Sequence, residues 1–377
     1  MRAVIAGAGI GGLTMACALA QRGVDVVVAE RATVLEPVGA GITVQANAMV
    51  ALRRLGLTDA IAAEGVALTE VAMLDTGGRP LGAAVDVGAL SAQLGAPTVA
   101  IHRARLHHVL LDAARITPRL GATVVSYEAR DGGVRVRTTA GDLDGDLLIA
   151  ADGLHSAVRA QLVRDGEPIY AGYTSWRGVT TPDSISPPAR STESWGRGMR
   201  FGIVPIGHGR VYWFAVAVAP PGGTDGDDVK AELTARYGGW HAPIAEIIAA
   251  TPAAAIVRTD IRDRDPITSW HSGRVVLLGD AAHPMTPNYG QGGCQAIEDA
   301  IVLDRHLAEH DDLEAALTAY ERDRVARANG IVIGARRLGR VAAWTSRPAC
   351  ALRDLALRAT PKRAVLRQMR KVLTFPS

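Results

Sequence analysis

The sequence predicts an α/β protein with three parts: a parallel sheet assembled from separate stretches of chain, a β-sheet domain inserted between them, and a helical C-terminal segment. Three observations predict it. Apolar runs at 3–6, 24–28, 147–151 and 274–278 read as strands covered on both faces, as in a parallel sheet. The stretch from about 168 to 265 is β-rich, with strands expected over Met199–Pro205 and Arg210–Ala219 and a hairpin signal, Gly207-His208-Gly209, between them. Residues 312–377 read as mainly helical, punctuated by Pro348 and Pro361. At 377 residues and 48% hydrophobic, the chain can bury two cores.

In chain order, the strand at 3–6 runs into Gly7-x-Gly9-x-x-Gly12, with Ile10 and Gly11 inside the motif, and then into a helix over 11–22 that stops at Gly23. Gly7 permits the turn, Gly9 lets backbone approach a pyrophosphate, and Gly12 lets helix and strand pack closely. The helix N-terminus presents N–H groups and partial positive charge to phosphates. Glu30 closes the next strand, 18 residues after Gly12, where a carboxylate can accept both hydroxyls of an adenosine ribose and would repel a 2′-phosphate. A helix follows over 47–55, stopped at Gly56. Residues 70–100 carry Gly, Pro and short alternating runs that suit a detour into the second domain, and 103–115 return to helical spacing. The strand at 147–151 meets Asp152-Gly153, with Ser156 and Arg159 behind it. The strand at 274–278 meets Gly279-Asp280-Ala281-Ala282-His283-Pro284, and a helix follows over 295–306. Carboxylates at the C-terminal ends of parallel strands lie where such sheets bind ligands, although either Asp alone could be a helix N-cap. Together the three motifs point to FAD rather than NAD.

Composition excludes several classes. The net charge of +3 is scattered along the chain and demands no nucleic acid. Cys17, Cys294 and Cys350 form no CxxC, and the histidines show no HExxH or related spacing, so neither a disulfide framework nor a metal is expected. No apolar stretch reaches membrane-spanning length and no leader pattern follows Met1, so a cytoplasmic protein, monomer or homodimer, is expected. Lys362–Leu373 alternates basic and apolar residues; such a helix can touch anionic membranes, but packing of its apolar face on its own domain is the expectation.

The three motifs, together with Pro287-Asn288-Tyr289-Gly290-Gln291-Gly292-Gly293, resemble those of the FAD-dependent aromatic hydroxylases, the single-component flavoprotein monooxygenases of para-hydroxybenzoate hydroxylase type. Gly39-Ala40-Gly41-Ile42-Thr43, Tyr170-Ala171-Gly172-Tyr173 and Gly292–Ala300 are similar to the salicylate, 3-hydroxybenzoate and urate hydroxylase subgroup. The resemblance implies a discontinuous, Rossmann-like FAD-binding domain (1–70, 101–165 and 268–330), a substrate-binding β-sheet domain (71–100 and 166–267) and C-terminal helices (331–377). It implies that Glu30 and Arg31 bind the adenosine ribose, that Arg103 reaches the ribityl–pyrophosphate region, and that Val124 lies near the adenine. Asp280 would hold the ribityl chain, and Thr43 belongs to the cofactor set. Gly290, Gln291, Gly292, Gly293 and Cys294 would face the flavin ring. Asp152 would serve FAD and a transiently docked NADH or NADPH. The implied activity is hydroxylation of a small aromatic or heteroaromatic compound by O2 through a flavin C4a-hydroperoxide. Cys294 reads as a packing residue and His283 as a hydrogen-bonded loop residue.

On the substrate side Arg200 and Tyr212 are the candidates, on neighbouring strands with matching parity. Arg200 would neutralise an anion and Tyr212 would bond a ring oxygen; the competing reading is a solvated cross-strand pair, and Arg197 and Arg210 are equally plausible anchors. Urate-type enzymes carry Asp where this chain has Asn288, which weakens a urate assignment. The rivals are a same-fold epoxidase or reductase, a flavin-binding protein without turnover, and an NAD-dependent dehydrogenase.

Overall fold

A computed structural model describes residues 1–35, 40–186, 188–226 and 228–375. Its centre is a five-stranded sheet ordered His271–Ser272, Val275–Leu277, Leu147–Ala150, Arg2–Ala6, Asp25–Ala29. All neighbours are parallel except the short antiparallel edge at His271–Ser272. Val4, Ile5, Leu148, Ile149, Val276 and Leu277 are buried because helices cover both faces. The register Ala6↔Ala150↔Leu277 ends three strands at one level, so the turns that follow them emerge side by side.

A seven-stranded sheet forms a second layer, ordered Val257–Asp263, Ile169–Val179, Val211–Val218, Met199–Pro205, Arg190–Trp195, Glu70–Asp75, Val85–Asp86. One of its faces carries Phe201, Ile203, Trp213 and Ala215, packed on Leu233, Tyr237, Ile244, Ile247 and Ile248. The last five residues belong to helices Val229–Tyr237 and Ile244–Ala249, inside the stretch expected to be β-rich. That expectation missed them because a sheet with one apolar face needs a cover, and this cover is supplied by short helices in a long crossover. Smaller sheets are formed by Leu143–Gly145, Gly133–Thr138 and Val124–Arg130, and by Gly41–Val44, Val99–His102 and Gly65–Ala67. The C-terminal part is three helices, Leu313–Ala342, Arg347–Ala359 and Lys362–Leu373; the last buries Leu373 and packs Met369 on the cluster of Leu68, Val87, Ala100, Val179, Val204 and Ile206. No helix among the described residues is long and apolar enough to cross a membrane.

Helix Gly292–Glu309 joins the central sheet to the C-terminal helices through a buried ionic cluster. Arg324 is fully buried; it donates to Asp299 from Nε at 2.7 Å and also bonds Glu298 and the Gln295 side chain. Arg327 and Asn47 complete the Glu298 carboxylate. Burial opposes ionisation of Asp299, but the charges of His283 and Arg324 hold its carboxyl down at about 2.

Replacing Arg324 by Met should therefore destabilise the protein by about 3–5 kcal/mol in urea unfolding, since two carboxylates lose their buried counter-charge. Acid should weaken the wild type through the same cluster. A carboxyl whose folded pKa lies below the ordinary ~3.9 stabilises fully above that pH and loses its contribution as pH falls toward 2. Urea midpoints at pH 6 and pH 3 check this, and the difference should shrink in the Met variant.

Candidate active site

A cleft of about 1070 Å³ opens at the C-terminal end of the parallel sheet. Gly7, Gly9, Glu30, Arg31, Arg103, Val124 and Asp152 line it, which brings together residues from five separate stretches of chain. Gly7 takes φ +99° and lies so close to Ala151 that a Cβ there would sit 2.5 Å from its carbonyl oxygen; a Cβ on Gly12 would sit 2.0 Å from the Gly7 carbonyl oxygen. Gly9 differs: its Cβ would meet no protein atom within 4 Å. It precedes helix Ile10–Gln21, which no side chain caps, so the first N–H groups of that helix face the cleft.

Glu30 braces this loop. One carboxylate oxygen accepts from Ala8 N at 2.7 Å and the other from Ala32 N at 2.8 Å. Each keeps a further lone pair for a ligand hydroxyl. His107 holds the loop from the other side, its Nε2 2.7 Å from the Ala8 carbonyl oxygen. Asp152 accepts from Ala157 N at the start of helix Ala157–Leu162, but the N-cap is Ser156, whose hydroxyl accepts from Arg159 N, and Asp152 Oδ1 is buried without a partner. Burial raises the Asp152 carboxyl pKa, and the hydrogen bonds from Ser156 and nearby amides oppose the rise. An orphaned carboxylate oxygen beside an open cleft calls for a donor from a ligand.

The third motif meets the other two through backbone contacts. Fully buried Arg159 donates to the carbonyls of Ala281 and Ala282, and Asp299 accepts from Gly279 N at 2.9 Å and lies 2.5 Å from His283 Nε2. His283 is thus a loop anchor. Asp280 is solvent-exposed but, like Thr43 and Gly290–Cys294, is not among the residues that line the cleft; desolvation by the surrounding protein raises its pKa, His283 and Arg103 oppose that, and Asp299 adds to it. Gly292 faces Asp280, with a Cβ placed 3.7 Å from Oδ1, and Gly293 packs beside Ile10 and Ile42. Gly11 packs against Leu278 and Ala296.

The turn at Gly290, φ +62°, is held from below. Gln45 donates to the carbonyls of Tyr289 and Gly290, and Gln291 bonds Gln45, Asn47 and Gln295. Cys294 points at the Thr43 carbonyl, and burial pushes its thiol up to about 12, which leaves it a packing residue. No side chain caps helix Gly292–Glu309, so its N-terminal amides are turned outward as well. Gly39 lies outside the described residues.

Facing this turn is the second face of the seven-stranded sheet. Arg200 pairs across with Val216, and Tyr212 with Val204, so Arg200, Gly202, Val204, Tyr212, Phe214 and Val216 share it. Arg200 and Tyr212 are not neighbours: four residues of strand, about 13 Å, separate their positions. Tyr212 packs on Gly41, where a Cβ would lie 2.5 Å from the Tyr Cβ. Burial raises its phenol pKa, opposed by the charges of Arg177 and Arg103. Arg200 is 4% exposed and is not a solvated surface pair: it reaches Glu193 at 3.1 Å and Asn288 Oδ1 at 2.9 Å. Asn288 Nδ2 lies within 2.9 Å of the Tyr173 hydroxyl, Thr286 Oγ1 and the Ala335 carbonyl oxygen. An amide accepts from a guanidinium and donates to a carbonyl at once, which an ionised carboxylate cannot do, and this explains Asn rather than Asp at this position. Of the alternative anchors, Arg197 is exposed and bonds Thr345, while Arg210 lines the cleft.

A family model described as an FAD binding domain matches residues 1–335. The chain belongs to the FAD-dependent aromatic hydroxylases. It is 48% identical over 377 residues, 99% of this chain and 97% of the relative, to an aurachin C monooxygenase/isomerase of Stigmatella aurantiaca. It is 37% identical over 342 residues, 89% of each protein, to an FAD-dependent urate hydroxylase of Klebsiella pneumoniae. A crystal structure of Klebsiella pneumoniae HpxO with FAD and uric acid matches with a TM-score of 0.92 at 33% identity, over 99% of this chain and 96% of that one. The residues present fit FAD on their own terms: the cleft offers an uncapped helix for the pyrophosphate, Glu30 for a ribose and the orphaned Asp152 oxygen, and a second uncapped helix beside Asp280 lies outside its lining.

Gly9→Ala and Gly12→Ala should separate ligand binding from folding. The first adds a methyl only to the open cleft and should lower FAD affinity at least about tenfold while the apoprotein unfolds as wild type. The second collides with the Gly7 carbonyl and should cost about 1–3 kcal/mol of stability. Flavin titration and thermal unfolding of the apoproteins distinguish them.

Proposed function

We propose that this flavoprotein consumes NAD(P)H and O2 to hydroxylate a small aromatic or heteroaromatic compound, bound between the Gly290–Gly293 turn and the sheet face that carries Arg200 and Tyr212. The balance is substrate–H + O2 + NAD(P)H + H⁺ giving substrate–OH + H2O + NAD(P)⁺. The observation that carries the reading is the Arg200–Asn288 hydrogen bond: it links the substrate-facing sheet to the chain two residues before the Gly290 turn. FAD, when bound, supplies hydride acceptance and oxygen activation.

The residues of the chain do the rest. Glu30 and the Gly7–Gly12 backbone, with Ile10 and Gly11, anchor the adenosine and pyrophosphate end. Arg31 and Val124 flank it, and Arg103 and Asp280 hold the middle. The amides from Gly290 to Cys294, backed by Thr43, would donate to the ring's polar edge. Arg200 orients the substrate through its remaining donors; Glu193 balances its charge, so it serves as a hydrogen-bonding fork more than as a bare cation. Tyr212, kept as a neutral phenol, donates or accepts at the other end, and Phe214, lying over Gly202, forms an apolar wall between them. Excluding water from this space protects the oxygen-transfer step. The single dinucleotide fingerprint suits a nicotinamide that docks, delivers hydride and leaves.

The name of the relative at 48% identity favours a second reading, in which oxygen insertion is followed by rearrangement of the product on the same site. The two readings share the oxygen balance and differ in carbon connectivity.

Aromatic and heteroaromatic compounds should stimulate NAD(P)H oxidation by the FAD-loaded protein, and one labelled oxygen from O2 should enter the product. Nuclear magnetic resonance of the product separates simple hydroxylation from rearrangement; a product without labelled oxygen contradicts both. Arg200→Gln should raise KM by about tenfold or more, the worth of a hydrogen bond to a charged group, with FAD content unchanged. An unchanged KM removes Arg200 from the site.

A further inference from the structure

The far end of helix Gly292–Glu309 carries a cluster that the flavin chemistry does not use. His306 and Glu309 lie on the last turn of the helix and His310 is its extended C-cap, and one donor atom from each lies within 4.8 Å of those of the others. The sequence reads His306-Leu307-Ala308-Glu309-His310, a spacing that the expectation of no metal passed over; its two histidines are four apart, as in helical zinc motifs.

The hydrogen bonds orient both rings. His306 is 4% exposed, and its Nε2 lies 2.9 Å from the Asp323 carboxylate on the neighbouring helix Leu313–Ala342. That partner accepts, so Nε2 carries the hydrogen and Nδ1 keeps a lone pair. Nδ1 is buried and has no hydrogen-bond partner; it looks toward Glu309 Oε2 at 3.7 Å, too far for a hydrogen bond. In His310, Nδ1 faces the His306 carbonyl oxygen at 3.1 Å, which leaves Nε2 available. Each imidazole is therefore held through one nitrogen and presents the other, the arrangement that carboxylate and carbonyl partners impose on metal-binding histidines. A lone pair facing a carboxylate across such a gap is repulsive unless a cation or proton lies between them. The helix C-terminus adds partial negative charge at the same place.

We propose that His306 Nδ1, the Glu309 carboxylate and His310 bind a divalent transition-metal cation of the Zn²⁺ class, with water completing a tetrahedral shell. Two nitrogens and one oxygen suit Zn²⁺ or Ni²⁺ and disfavour Mg²⁺, which prefers an all-oxygen octahedron. Because His306 also engages Asp323, the bound ion ties the last turn of this helix to its neighbour. It lies at the opposite end of the helix from the Gly290–Gly293 turn, so it is structural.

The test is isothermal titration of untagged, FAD-loaded protein with Zn²⁺, Ni²⁺ and Mg²⁺ after chelator treatment, alongside Glu309→Gln and His310→Ala. Both substituted side chains are partly or largely exposed, and neither touches the flavin cleft. The expected result is one Zn²⁺ per chain, a Zn²⁺-dependent rise in Tm, no Mg²⁺ response, and at least about tenfold weaker binding in each variant with flavin content unchanged. The absence of saturable one-to-one binding overturns the proposal. So does binding that both substitutions leave intact, which would place the ion elsewhere.

Discussion

The architecture depends on one buried charge arrangement. Arg324 sits with no solvent access between Glu298 and Asp299, and each carboxylate passes the constraint onward. Asp299 fixes the Gly279 amide and His283, and so the loop that carries Asp280. Glu298 fixes Asn47, and through it Gln291 beneath the Gly290 turn. Buried ion pairs of this kind add little net stability over apolar packing; what they add is geometry, because a slipped arrangement would strand a charge. Here the geometry concerns two loops, the one carrying Asp280 and the turn at Gly290.

The second constraint is steric. The three motifs meet because glycines permit close approach: main chain on main chain for Gly7 against Ala151 and Gly12 against Gly7, and the Leu278 side chain against Gly11. The seven-stranded sheet is registered on this centre at two contacts, Tyr212 on Gly41 and Arg200 on Asn288. The substrate space proposed between the two layers is thereby bounded by Arg200, Asn288 and Tyr212.

Much of this was legible in the sequence, for identifiable reasons. Buried parallel strands announce themselves as unbroken apolar runs, and close backbone approaches demand glycine, so the strand at 3–6 and the Gly7–Gly12 loop could be read directly. The hairpin at 207–209 and the shared face of Arg200 and Tyr212 followed from period and parity. What could not be read was pairing between distant polar residues. Arg324, Asn47, His107 and Arg159 are ordinary helix residues in isolation, and their partners lie from 25 to 251 positions away. The helices at 229–237 and 244–249 were hidden for a related reason: short amphipathic covers of a sheet lack the length over which helical period becomes distinct. The partial neutralisation of Arg200 by Glu193 likewise required knowledge of strand order.

The bracing of the phosphate loop by Glu30 and His107 has a practical corollary. With its amide and carbonyl at Ala8 already engaged by protein side chains, that loop keeps its shape whether or not a nucleotide is present. Association then carries little ordering entropy, and a stripped apoprotein retains a ready-made receptacle. Such a receptacle invites exchange of the native prosthetic group for synthetic isoalloxazines of altered redox potential, which makes this scaffold suited to electronic retuning without redesign of the polypeptide.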